Sequence, residues 1–317
     1  MKPNNKTDAT RSPRPQLPAR KKKLSGKRNS FFKQFTFNEI FTALLLALVI
    51  VVIPTVVKLT FITPTADEAA VRAIPADGAA SSVVDAFTYY KSRALLVAGS
   101  LFAIFYAACV AIGEVKYEIK KIKDPVFIAS AAYISLIVLS TVLSKHRQLA
   151  LTGFSDRHEN VFILIVYIVI FLSVRTFVST GRHARLVLIF FLASALFIGL
   201  IGAFQAFRRD VFSTALGNRW VLGSKYYDLY YPPGITVRFT DQVYSTLFNP
   251  NCVGLYTSLL IPVFFMSSLF CFKKPVVKIL FAIGGVLLVV CSIGSKSLAG
   301  FIGLAAAVFF CAAVGFI

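Results

Sequence analysis

The sequence predicts an all-α fold, a polytopic transmembrane helical bundle of about eight spans with its N-terminus in the cytoplasm. Three observations predict it. Hydrophobic residues make up 57% of the 317 and charged residues 15%, against about 25% charged in soluble domains, which excludes an ordinary soluble enzyme. Eight runs stay mostly apolar for about 18 residues or more, the length that crosses a hydrocarbon core. Basic residues gather in alternate loops, and Lys and Arg mark the cytoplasmic side.

Residues 1–38 read as a basic cytoplasmic tail. Eleven of the 34 Lys and Arg precede residue 34, in a Pro-rich segment with almost no apolar content. Residues 1–30 cannot bury enough surface to fold and are expected to be disordered. Beside a membrane span, such a tail attracts anionic lipids. The formal charge of +20 does not make nucleic acid a partner, because no base-reading motif accompanies it.

The transmembrane domain occupies residues 39–317, with spans expected at 40–62, 94–113, 126–143, 161–178, 186–206, 252–272, 276–293 and 298–317. The first is an uncleaved anchor, since its apolar run and the basic region before it are too long for a signal peptide. With the N-terminus inside, cytoplasmic loops hold Lys116, Lys120, Lys121, Lys123, Arg182, Arg185, Lys273 and Lys274. The opposite loops carry Asp67, Glu68, Asp77, Asp85, Asp156, Glu159, Asp210, Asp228 and Asp241, which nearly offset their own cations. An even number of spans leaves the C-terminus inside.

Outward regions are then 64–93, 144–160, 207–251 and the turn 294–297. The loop at 207–251, about 45 residues, exceeds an ordinary connector. Trp220, its many tyrosines and Pro232-Pro233 point to an ordered surface element carrying short interfacial helices. The last residue, Ile317, falls inside an apolar run without a polar anchor, so the sequence is expected to be a C-terminally truncated piece of a longer protein.

Few ionisable residues enter the spans. Lys58 lies near an outer end and can snorkel; Glu39 and Arg175 lie near cytoplasmic ends. A proton-coupled transporter places carboxylates near the midplane. None is there, which moves any chemistry to the outer surface. Cys109, Cys252, Cys271, Cys291 and Cys311 are far apart, without a CxxC, and read as small hydrophobes rather than metal ligands or disulfides. No metal or cofactor is expected.

Four outward clusters remain: Arg157-His158-Glu159-Asn160, Arg208-Arg209-Asp210, Arg238 with Asn249 and Asn251, and Ser295-Lys296-Ser297. Each alone reads most simply as a head-group anchor for a helix end. Together, four basic groups on different helices return to one face and could converge on a diphosphate, for which the guanidinium fork is well shaped. Asn249 and Asn251 either present helix-terminal amides to an anion or merely cap a helix. The run Tyr226-Tyr227-Asp228-Leu229-Tyr230-Tyr231 reads as an interfacial aromatic belt before a sugar platform. His183 is expected to be cytoplasmic and structural. His146 and His158 face outward, where either is a candidate base, but no sequence feature places either beside a nucleophile and a lone loop histidine is usually plain surface.

These residues resemble the O-antigen ligase and O-antigen polymerase group of bacterial polysaccharide enzymes. Arg238 to Pro262, with Phe248-Asn249-Pro250-Asn251 and Gly254, is similar to the family's R…F-x-N-P-N-x-x-G…P signature before a span. Ser140-Thr141, Ser144, Gly153-Phe154 and Arg157-His158-Glu159-Asn160 are similar to its S-T…S…G-x-x-x-R-x-E-G segment, with Asn160 for the usual Gly. Ser295-Lys296-Ser297 stands where the family has a Ser-Arg pair, with Lys for Arg. The resemblance covers roughly residues 94–317.

The resemblance implies a membrane glycan transferase or polymerase in the bacterial plasma membrane. Its donor is an undecaprenyl-diphosphate-linked oligosaccharide and its acceptor a glycan, lipid or cell-wall hydroxyl at the outer face. Substrate-binding candidates are Arg238, Arg157, Asn249, Asn251 and Lys296. The family's catalytic histidine is expected beyond Ile317, so the catalytic residue is unassigned. The alternatives are a transporter of polysaccharide or lipid-linked sugar, and a non-catalytic membrane assembly component.

Overall fold

The computed structural model describes residues 37–72, 83–113, 124–178, 180–230 and 240–315. The basic tail and Arg238 lie outside the described residues. The described chain is mostly helical, and six helices are long and apolar enough to cross a membrane, which makes this a multi-pass membrane protein.

Helix α1, Phe37–Thr55, contains a π-helical turn at Leu48–Val52. Pro54 brings no N–H, and a proline ring crowds the carbonyl one turn back. The Thr55 hydroxyl donates to the carbonyls of Val51 (3.2 Å) and Val52 (2.8 Å), satisfying groups that the disturbed ladder leaves open. The apolar run does not continue as helix to residue 62, as the sequence suggested. Thr60–Ile62 forms strand β1 instead, paired antiparallel with β2, Val83–Asp85, in the register Thr60 opposite Asp85. Helix α2, Ala66–Arg72, lies between the strands in sequence.

Helix α3 is Tyr89–Ala111, α4 Pro125–Leu143, α5 Arg147–Thr152, α6 Val161–Phe177 and α7 Gly181–Ala206. A 3₁₀ turn, Val211–Ser213, precedes α8, Ala215–Tyr230, which breaks at Gly223 (φ 69°). Then come α9, Pro250–Cys271, α10, Pro275–Ser295, and α11, Leu298–Gly315. Helices α4, α9 and α10 each begin on a proline, whose missing N–H costs nothing in a first turn. The expected spans at 161–178 and 298–317 appear as apolar helices outside the six, Val161–Phe177 being 17 residues long and Leu298–Gly315 18 among the described residues.

The packing core is α9 against α10 and α11, with α7 against α10; α3 packs on α6. Leu192, Ala195, Leu260, Ile261, Phe264, Phe281 and Leu288 form the cluster between α7, α9 and α10. Small residues set the spacing. A Cβ at Gly284 would meet the Phe264 ring at 2.7 Å, and one at Gly202 would meet Cys291 Sγ at 2.5 Å. Helix α4 is different: among its residues only Ser130 is buried, and Leu136, Leu139 and Leu143 are exposed. A helix apolar all round and mostly uncovered, touching α5 and α6 on one side, suits a lipid-facing position.

Candidate functional site

Chain alternation brings the segments after α1, before α3, after α4, before α6, after α7 and before α9 to one end of the bundle. A second core sits there, built from Val57, Ala86, Phe87, Ile201, Phe212, Val221 and Tyr244. Gln205, near the end of α7, organises it. Its Oε1 accepts from the amides of Tyr244 (3.2 Å) and Ser245 (2.7 Å), and its Nε2 donates to Asp210 Oδ1 (3.0 Å). The Tyr244 hydroxyl donates to Asp210 Oδ2 at 2.5 Å. The Val243 amide donates to the Gly294 carbonyl (3.0 Å), and the Thr246 hydroxyl to the Pro54 carbonyl (2.8 Å). Residues 243–246 are buried as a result, and they fix where α9 starts.

The Asn-Pro-Asn turn then has two distinct jobs. Asn249 is the N-cap of α9, its side chain accepting from the Asn251 amide at 2.8 Å. Asn251 Oδ1 accepts from the Ser297 hydroxyl at 3.0 Å, and Ser297 Oγ in turn accepts from the Gly300 amide at 3.1 Å. The asparagine therefore ties the start of α9 to the start of α11. Lys296 closes α10 in the left-handed conformation (φ 52°), with its side chain exposed beside that junction.

A second anchor is acidic. Glu68, 1% exposed, accepts from the amide and hydroxyl of Ser155 (3.1 and 2.6 Å) and pairs with Arg72 at 3.0 Å. Arg72 also reaches Asp156 at 2.6 Å. The buried carboxylate of Asp85 accepts from the amides of Phe87, Thr88 and Tyr89, capping α3. Asn160 caps α6, accepting from Phe162 and Ile163.

These anchors place the cations. Arg157 is exposed on the tight turn after Phe154. Lys91, on the first turn of α3, donates to the Thr246 carbonyl and lies 5.8 Å from the Phe87 ring centre. Through Thr246, Lys91 is tied to the buried segment that leads into α9. Arg157, Asn249, Asn251 and Lys296 thus come to one end of the bundle. Arg208 instead stands across a polar recess of about 220 Å³ from Asp241, 4.0 Å away.

Other candidates take structural places. Tyr226 packs edge-on against Phe61, and Arg219 lies over the Tyr227 ring. His146 precedes α5 without a side-chain cap, and His183 pairs with Glu39 at 2.8 Å near the opposite helix ends. Lys91 and the Asp85–His158 pair were not singled out by sequence reasoning. Lys91 sits two residues before an apolar run, a snorkelling position by pattern alone. His158 Nε2 is buried 3.7 Å from Asp85 Oδ2, without a hydrogen-bond partner. Burial holds the His158 imidazole below the ordinary histidine value, with Asp85 opposing that shift. Among the described residues no group of His, Cys, Asp and Glu has the arrangement of a metal site.

The arrangement offers ammonium, guanidinium and helix-start amides to an anion, which is what a phosphate needs. The chain matches no protein-family model, no curated protein and no solved structure.

Proposed function

We propose that this protein transfers or polymerises lipid-linked glycans, using an undecaprenyl-diphosphate-linked oligosaccharide donor at the outer face of a bacterial plasma membrane. In this reading the chain spans eight times with the N-terminus cytoplasmic. The apolar helices α6 and α11 then cross as well, the bilayer adjusting locally to their shorter length. Arg157, Lys91 and Lys296 neutralise the diphosphate, together with Arg238 from the loop before Asn249. Stabilising negative charge on the leaving diphosphate is then the main catalytic contribution.

The observation that carries the reading is the joining of Asn251 at the start of α9 to Ser297 beside Lys296, with Lys91 bonded to the Thr246 carbonyl in the segment just before α9. It supports the resemblance because segments far apart in sequence supply one anion-binding surface. The test is transfer by proteoliposomes containing the whole chain, given a lipid-diphosphate-linked glycan and an acceptor. Glycan attachment or lengthening that Arg157→Ala abolishes, with membrane insertion intact, supports the reading. Movement of labelled carrier across the vesicle without any change in the glycan favours transport instead.

A further inference from the structure

We propose that the first two turns of α8 lie in the boundary layer of a phospholipid leaflet, with Leu216 and Trp220 among the upper acyl chains and Arg219 at the phosphates. The partner is the leaflet at the end of the bundle that carries the 207–251 loop. The inference stands apart from the glycan-transfer reading.

Helix α8 is apolar on both faces over these turns. Gly217, Asn218, Val221 and Leu222 are buried, and Val221 packs into the core with Phe212 and Tyr244. The opposite face holds Ala215, Leu216, Arg219 and Trp220, all exposed. Leu216 is 80% exposed, and Trp220, one turn on, 36%. A helix on a water-facing surface keeps that side charged and polar. Here Arg219 is the one ionic side chain from Ala215 to Leu222.

That face continues the bare side of α7. The Trp220 ring meets the Phe197 ring edge-on, with centroids 5.9 Å apart, and leans on Phe212 at 5.5 Å. Phe197, Leu200 and Phe204 form one exposed apolar stripe along α7. The 26 residues of α7 span about 39 Å, some 9 Å more than a hydrocarbon core of about 30 Å. Phe197 lies nine residues before Ala206, the last of the helix, or about 13 Å along its axis. With all of the surplus at this end, Phe197 still sits below the edge of the hydrocarbon. Trp220 touches it, so α8 reaches back down into the leaflet.

A helix start in that layer needs its amides satisfied from within the protein. Thr214 Oγ1 accepts from the Gly217 amide at 3.1 Å, and the Thr214 carbonyl accepts from the Asn218 amide at 2.8 Å. Asp210 caps the 3₁₀ turn before it, accepting from Phe212 at 3.0 Å. The turn and the helix are pressed together, since a Cβ at Gly217 would run into the Val211 carbonyl oxygen. The helix breaks at Gly223, where the chain can leave the layer.

Charge selects lipid over a second copy of the chain. Neither Phe197–Phe204 nor Ala215–Leu222 contains a carboxylate that could receive an arginine across a protein interface. A leaflet offers a phosphate to every Arg219, and the long stem lets the guanidinium rise to it while Trp220 stays below.

Trp220 is the single tryptophan of the chain, so its fluorescence reads this site in the unmodified protein. The whole chain is placed in vesicles of phosphatidylcholine and phosphatidylglycerol. Lipids brominated near the glycerol end of the acyl chain should remove most of the emission. Bromines near the chain methyl, and iodide on both sides of the membrane, should each remove little. Quenching by iodide but not by brominated lipid overturns the placement. Shielding from both also overturns it, because protein then covers the face. Strongest quenching from the deepest bromines overturns the boundary position. Leu216→Glu disturbs no core contact and should shift the emission to the red with loss of most of the bromine quenching. An unchanged depth profile in that variant takes Leu216 out of the leaflet and overturns insertion by the α8 face.

Discussion

Gly254 and Gly300 meet backbone to backbone: a Cβ added to Gly300 would lie 2.5 Å from the Gly254 Cα. One turn on, a Cβ at Gly303 would come within 3.1 Å of the Ser258 hydroxyl. Helices α9 and α11 therefore cross on a stripe of small residues, the usual way for helices to approach closely in lipid. Gly254, the last small residue of the asparagine-proline signature, acts there as a spacer and holds no ligand.

Gly300→Ala should destabilise the bundle by about 1–3 kcal/mol, because backbone atoms cannot move aside as a flexible side chain can. Gly181→Ala, at a helix start with nothing within 4 Å, should be neutral or slightly stabilising. Thermal unfolding in a fixed detergent separates the two. Equal effects would remove the close-approach explanation.

Ser297→Ala should cost about 0.5–2 kcal/mol, the loss of a helix cap. Its effect should not add to that of Asn251→Ala, since the two side chains share one hydrogen bond. A double-mutant cycle giving no coupling would separate the α9 and α11 starts.

Lys91→Met keeps most of the apolar stem and removes the charge. It should leave insertion intact, cost about 1–3 kcal/mol of stability for the stranded Thr246 carbonyl, and weaken retention of a lipid diphosphate by at least tenfold, read by equilibrium binding to nanodiscs. Unchanged retention would take Lys91 out of the anion site.

Acid should weaken the fold through His158. Its folded value lies below the ordinary one, so between the two the unfolded chain binds more protons. Stability contributed by the neutral ring is complete above about pH 6.5, falls as the pH drops, and levels off below the folded value. His158→Gln should flatten that part of the stability–pH profile. Asp124 works in the same direction at lower pH: the Arg175 hydrogen bond holds its carboxyl below the usual range, so that contribution is complete above the ordinary aspartate value and is lost as the pH falls from there through the lowered one.

Six of the eight expected spans were legible because bilayer length and apolar content decide them; the 207–251 loop also holds short helices, as expected of it. What periodicity missed was the end of α1. Val56, Val57 and Leu59 read as apolar span, yet Lys58 donates its amide to Ala86 and Leu59 donates to Val221, turning the run into a strand approach. Hydropathy has no term for such partners. The same blindness hid Glu68 and Asp85, which as loop acids merely balanced charge. Their burial depends on amides they cap, in the case of Glu68 on a residue 87 positions away. Arg157, Asn251 and Lys296 were legible as residues, but the Asn251–Ser297 bond that relates two of their segments was not.

The Glu68–Ser155 contact also sets an order of assembly. A buried carboxylate without its partners carries a large desolvation penalty, and Ser155 is made 87 residues after Glu68. At ordinary translation speeds that interval is on the order of ten seconds, and within it α3 and α4 must both be synthesised. The Glu68 contact forms only after that interval, so this end of the bundle is completed by a late docking event and not built loop by loop.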